Sequence, residues 1–366
     1  MDYKQKYLKY KTKYIGLKKG GTKQYYLPCE ITNDVKKIYL LPKVKNLLAI
    51  EDNLFRDISL ILGDDKIIVE SMGHAYKQDP AIFLKSNIDE NDHAIIINKG
   101  VDFSGFTRIE EYQSVDGNDY GGNFISSPCS PKNPYGSLFC FDKITPNLSR
   151  YLDNNLQQNL IQLECSFRSE DIRHIDECIC FMPYKDHYKV WIYKIRNISC
   201  TLRTQWGITS QIETGKIHSN TREILDIESI KNSLELERQR NIKKISENLF
   251  GKNLFGEKDF SEFFVEFPID LEINHIYLLN KPDFKIKNIP IFNRIWYEKD
   301  NQCRAIFSKG VEIDPEVQTI LDNELPFIGS IIDPTRMFKC GFINTQEYNN
   351  RGNTGGNLHC LVKMKY

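Results

Sequence analysis

Two side chains able to handle a cation and a proton stand two positions apart at His174-Ile175-Asp176, inside the run Arg173–Pro183. Successive side chains of an extended chain alternate between faces, so the pair would point the same way. A carboxylate takes a guanidinium in a two-pronged, charge-assisted hydrogen bond. A histidine moves protons near neutral pH. Ile175, Ile179 and Phe181 would add packed surface beside them. A solvated strand end would carry the same two residues, so spacing alone does not decide. Far downstream, Cys360 follows Gly355-Gly356-Asn357-Leu358-His359. A glycine-rich turn leaves little bulk around a sulfur, and a thiolate beside an imidazole is a nucleophile. Most free cysteines are nevertheless buried small hydrophobes. Upstream, Asp79 follows the apolar run Lys66–Glu70, which reads as a short buried strand. Pro80 biases Asp79 away from helix.

The elements that must position these residues are mixed in kind. Lys37–Leu41 reads as a strand, Val44–Leu62 as an amphipathic helix and Lys66–Glu70 as the next strand, a β-α-β unit that sets Asp79 beyond a strand's carboxyl end. Ala94–Asn98, Leu138–Phe141, Leu160–Cys165, Lys189–Ile195, Phe263–Phe267, His275–Leu279, Arg304–Ser308, Lys339–Ile343 and Leu358–Val362 read as further strands. Asn147–Asn159 and Thr221–Phe250 read as helices, and Pro315–Asn323 as a helical turn or two. Gly105–Pro134 is rich in Gly, Asn, Asp, Ser and Pro and reads as a long loop. Strands and helices alternating throughout imply an α/β or α+β class without choosing a topology.

Composition narrows the function classes. The chain has 366 residues with 49 basic and 49 acidic side chains, so net charge supplies no pull toward nucleic acid or membrane. No apolar run approaches the ~20 residues of a membrane span. Ten cysteines without a CxxC pair suit reduced thiols in a cytosol-like compartment rather than a zinc site. Met1–Gly21 stands apart, with seven lysines, one acid and a stripe of Tyr3, Tyr7, Tyr10, Tyr14 and Leu17. It resembles the Lys/Tyr-rich leaders of proteins from giant DNA viruses of the mimivirus kind. That resemblance extends the expected location to a host cytoplasm or virion. Three regions are expected: a leader at 1–21, a lead-in at 22–43 and a catalytic domain at 44–366.

Taken in order, Gln78-Asp79, His174-Ile175-Asp176-Glu177 leading into Phe181-Met182-Pro183, and His359-Cys360 resemble the catalytic region of the peptidyl-arginine deiminases. Linking segments are similar too. Ser114–Asn123 with Ser127-Pro128 resembles that family's Leu-Asp-x-x-Gly-Asn and Ser-Pro, and Pro134-Tyr135-Gly136 its Pro-Leu-Gly. Gln239–Ile245 resembles its basic helix, Asn288–Phe292 its Ile-Pro-x-Leu-Phe, and Phe342-Ile343-Asn344 its Phe-Ile-Asn. The resemblance spans roughly Val44–Val362. Several motifs in order are more specific than any one of them.

The resemblance implies a five-bladed α/β propeller (the pentein fold), built of ββαβ-type units around a central active site. It implies hydrolysis of the arginine guanidinium, in peptides or proteins, to citrulline and ammonia. Asp79 and Asp176 would clamp the guanidinium, Cys360 would attack its carbon and His174 would move the protons. Tyr76 stands where the family has a tryptophan lining the substrate channel, and Arg351 near a substrate-gating arginine. Lys99 replaces an arginine that grips the peptide backbone, and lysine lacks the planar fork. Pro80 and Ile82 replace two calcium-binding glutamates. Calcium takes about six to eight oxygen ligands, so no metal ligand is assigned and no cofactor is expected to be required. Leu361-Val362-Lys363 replaces the Gly-Thr-Asn after the cysteine. The expected partner is an arginine-containing peptide or protein, with no nucleic acid and no membrane span; the oligomeric state is left open. Two alternatives stand beside this reading: a deiminase or amidinotransferase for a free small guanidine, and a non-catalytic binding or virion protein of the same fold.

Overall fold

The computed structural model describes residues 23–29, 37–40, 67–69, 81–97, 106–111, 121–130, 133–141, 144–166, 174–184, 187–203, 209–212, 216–218, 224–274, 283–286, 294–299, 302–309, 314–332, 339–344 and 363–365. The leader at 1–21, the helix expected over 44–62 and the strands expected at 275–279 and 358–362 lie outside these residues.

One pairing pattern recurs five times. After a two-residue strand β1 (Tyr25–Tyr26), β2 (Lys37–Leu40) runs parallel to β3 (Ile67–Val69). β4 (Ala81–Ser86) is antiparallel to β5 (Asp92–Ile96), which is parallel to β6 (Thr107–Glu111); β1 adds to the outer edge of β4. β7 (Phe124–Ser126) and β8 (Ser137–Phe141) are antiparallel, and β8 and β9 (Asn159–Leu163) parallel, with helix α1 (Pro146–Asn155) between the last two. β10 (Ile179–Tyr184) and the long β11 (His187–Arg203) form an antiparallel hairpin. Beyond it, β12 (Thr209–Ile212) joins β11, and β13 (Lys216–His218) pairs with β14 (Ile224–Asp226). Helix α2 (Ile227–Phe250) and the short α3 (Phe260–Phe263) then lead to β15 (Phe264–Asn274), parallel to β11 and edged by β16 (Asp283–Ile286). β17 (Arg294–Lys299) is antiparallel to β18 (Gln302–Lys309), and α4 (Pro315–Ile332) crosses to β19 (Lys339–Asn344), parallel to β18. Last, β20 (Lys363–Lys365) returns antiparallel to β2. Five of the six sheets among the described residues therefore contain an antiparallel pair whose second strand carries a parallel third. The two described strands of the 22–43 segment are paired into these sheets. A parallel neighbour needs a crossover, which a helix fills compactly.

The helices start where the sequence caps them. Thr145 accepts from the Leu148 amide at 3.4 Å ahead of Pro146, and Asp226 accepts from Glu228 and Ser229 at 3.1 and 3.3 Å. α2 ends on Gly251 at φ +77°. α4 extends to Ile332, well past the one or two turns expected. The Gly105–Pro134 loop is corrected as well: it contains β6, a turn of 3-10 helix at Gly121–Asn123, and β7. Apolar partners across the ladder, such as Phe139 opposite Ile125, override the turn-forming composition. β4 was not anticipated either.

The sheets pack through both faces. Phe124, Leu138 and Cys140 join Ile82, Leu84, Ile95 and the α1 leucines Leu148 and Leu152 in one buried cluster. Their neighbours Ile125, Phe139 and Phe141 join Phe181, Trp191 and Phe267 in another. The β7–β8–β9 sheet is thus a layer between the sheets before and after it, with alternate residues serving alternate cores.

Candidate functional site

His174 and Asp176 lie in the connection from β9 to β10. They are not on a strand. His174 is extended, but Ile175–Glu177 forms one turn of 3-10 helix and the strand begins only at Ile179. This corrects the shared strand face expected from the two-residue spacing. In a 3-10 turn residues three apart eclipse, which pairs position 174 with 177 instead. Accordingly Glu177 Oε2 accepts from the His174 amide at 3.1 Å, the reach-back half of a capping box. The Cys178 amide closes the turn on the Ile175 carbonyl at 2.9 Å.

The turn is buried: His174, Asp176 and Glu177 are 6%, 4% and 4% exposed. Ile175, Ile179 and Phe181 are buried around it, as the apolar pattern requires. It touches β7, β8 and β10, and it meets the Gly121–Asn123 turn, which itself touches β4. Asn123 is buried there and accepts from the Phe141 amide at 3.2 Å. The two turns have matching places, each ending just before the first strand of its sheet.

Helix α2 grips the upstream end of the same connection. Asn241 accepts from the Glu164 amide at 2.9 Å and donates to its carbonyl at 2.8 Å. The buried Glu237 accepts from the Ser166 amide at 3.0 and 3.1 Å and from its hydroxyl. Arg240 pairs with Glu164 at 2.6 Å, and its hydrogen bonds hold that carboxyl below the usual range. From the other side, Tyr193 of β11 donates its hydroxyl to the Glu177 carbonyl at 2.6 Å. Burial, then hydrogen bonding to Cys165, pushes the Cys178 thiol well above its ordinary value. Tyr193, Glu237 and Asn241 were not foreseen. Only Glu177, three positions after His174, carried a readable signal, that of a capping residue.

Asp79, Cys360, Tyr76, Lys99 and Arg351 lie outside the described residues, as does Pro80. Ile82 is buried in β4. Among the described residues, no group of three or more His, Cys, Asp or Glu side chains is arranged to hold a metal ion. Seven described cysteines are free thiols, and no described helix is long and apolar enough to cross a membrane. Against known proteins, the sequence matches no family model and no curated protein at a significant level.

Proposed function

We propose that this chain is a guanidine-modifying hydrolase that converts arginine, in peptides or proteins, to citrulline and ammonia, and that the five sheets sharing this pairing pattern are the blades of an α/β propeller. The observation that carries the reading is topological. All four residues of the catalytic constellation fall in connections from the third strand of one sheet to the first strand of the next. Asp79 lies between β3 and β4, His174 and Asp176 between β9 and β10, and Cys360 between β19 and β20. In this repeated pairing the third strand ends, and the next first strand starts, at the same end of its sheet. Five such units around an axis would bring those connections together.

The chemistry follows from the residue types. Asp79 and Asp176 clamp the guanidinium, and a buried site strengthens such charge-assisted bonds. Cys360, as thiolate, bonds to the guanidinium carbon. His174 protonates the departing nitrogen, and ammonia leaves a thiouronium. The same histidine then takes a proton from water, whose oxygen bonds to the carbon as the C–S bond breaks. Arginine and water become citrulline and ammonia, and the thiolate is regenerated. Lys99 in place of a forked arginine favours one second reading, a free small guanidine as substrate.

The test is citrulline release from a blocked arginine peptide and from free arginine, with and without calcium, for the intact chain and Cys360→Ala. Release from the peptide without calcium, lost in the variant, is expected. Release from free arginine alone moves the substrate to a small guanidine. A folded chain releasing none from either refutes the hydrolase reading.

A further inference from the structure

The Ile175–Glu177 turn is tied to its surroundings at two points that the proposed chemistry does not use. Glu177 bonds back to the His174 amide through its carboxylate. Its own carbonyl receives the Tyr193 hydroxyl at 2.6 Å. Tyr193 is itself fixed, because β11 is paired on one edge with β10 and on the other with β15, where Tyr193 stands opposite Phe267. The turn is therefore referenced to the most extensively paired strand among the described residues. The two bonds bracket Asp176, one acting on the residue before the turn and the other on the residue after Asp176.

We propose that Glu177 and Tyr193 are positioning residues that set the placement of His174 and Asp176, Glu177 by capping the turn and Tyr193 by anchoring it to β11. The inference deepens the hydrolase reading and rests on it for its catalytic consequence, though not for its structural one. Burial, with Cys178 and Glu177 nearby, pushes the Tyr193 phenol well above its ordinary value, so it stays a donor across the working range. Reacting groups displaced by about 1 Å lose on the order of 100-fold in rate, so a loosened turn is costly even with every catalytic side chain present.

The experiment compares Tyr193→Phe, Glu177→Gln and Glu177→Ala with the parent chain. Tyr193→Phe removes one oxygen and keeps the ring. Glu177→Gln keeps an oxygen acceptor for the His174 amide, and Glu177→Ala does not. The first readout is amide hydrogen exchange, which needs no activity. Exchange at His174 and Cys178 is expected to quicken at least about 10-fold in Tyr193→Phe and Glu177→Ala, with β11 and β15 unchanged and Glu177→Gln close to the parent. Unchanged exchange at those amides in both loosened variants overturns the inference. The second readout is steady-state kinetics on the peptide. The expected result is a fall of about 10- to 100-fold in kcat/KM for Tyr193→Phe and Glu177→Ala, restored in Glu177→Gln. Full kcat/KM in variants whose turn exchanges faster also overturns it. A parent chain without activity defeats the hydrolase reading, and the exchange comparison then still decides whether these residues hold the turn.

Discussion

Replacing Gly136 with alanine tests the close approach of the β7–β8 connection against a built-in control. Gly136 and Gly256 both sit in the left-handed region, at φ +76° and +79°. Alanine at either position pays the backbone penalty, about 1–2 kcal/mol. Around Gly256 nothing lies within 4 Å of an added Cβ, so that penalty is the whole effect. At Gly136 the Cβ would lie 2.1 Å from the Ser127 carbonyl oxygen and 3.1 Å from Ser127 C and Oγ. Ser127 cannot yield easily. Its amide donates to the Ser137 carbonyl at 2.9 Å, and its hydroxyl oxygen accepts from the Ser137 amide at 2.8 Å. Overpacking adds about 1–3 kcal/mol, and each hydrogen bond disturbed about 1 more. With both Ser127 bonds disturbed, the sum is about 4–7 kcal/mol for Gly136→Ala against about 1–2 for Gly256→Ala. With a urea slope of ~3 kcal/mol/M, the unfolding midpoints should fall by roughly 1.3–2.3 M and about 0.5 M. Equal midpoints for the two variants would refute the claimed close approach. The same contact gives a physical reason for the glycine in Pro134-Tyr135-Gly136.

Two further outcomes complete the tests. Arg196 joins β11 to β15 and to the start of α4 through Asp270 at 2.6 Å, Asp314 at 2.7 Å and Glu316 at 3.0 Å. Hydrogen bonding to Arg196 holds the Asp314 carboxyl below its usual 3.8, so its stabilisation is present above that value and is lost as pH falls through the lowered folded value. The thermal midpoint of Arg196→Ala at low salt should lie below the parent's at neutral pH, by a free-energy difference of about 1 kcal/mol for such an exposed cluster. The gap should close as pH drops below 3.8, and a gap independent of pH would contradict the assignment. Cys178, buried and with a raised thiol value, should resist iodoacetamide at mildly alkaline pH in the folded chain and react on unfolding. Peptide mass mapping that finds Cys178 among the first thiols modified would count against the packing described for it.

What the sequence made legible follows what is local. Apolar runs such as Leu138–Phe141 announce their strands, whereas the helix expected from Thr221 begins only at Ile227, after β14 and the cap Asp226. The termination of α1 was misjudged because its cause is distant. After Leu156 the chain must turn so that Gln158 can accept from the Leu27 amide at 2.7 Å and donate to its carbonyl at 2.9 Å. α4 runs through Pro326, a residue that ordinarily ends a helix. β6 and β7 lie in a stretch rich in Gly, Asn and Ser, and it is pairing with β5 and β8 that makes them strands. At the candidate site, the chemistry of His174 and Asp176 was readable from residue type. Their turn was not, since its anchor is a tyrosine on the second strand of the following hairpin.

The double burial of the β7–β8–β9 sheet bears on how the chain finds its register. Where one face of a sheet meets water, a slip by one residue exposes every apolar side chain and is rejected at once. Here a slip between β7 and β8 would exchange Ile125 and Phe139 with residues such as Phe124 and Leu138, apolar for apolar, and solvent would not notice. Discrimination must then come from the hairpin connection. There Asn133 accepts from the Gly136 amide at 2.9 Å, and the paired bonds of Ser127 and Ser137 admit one alignment. Errors in that connection would produce compact, well-buried chains with the wrong neighbours, a failure that total burial or secondary-structure content would not report.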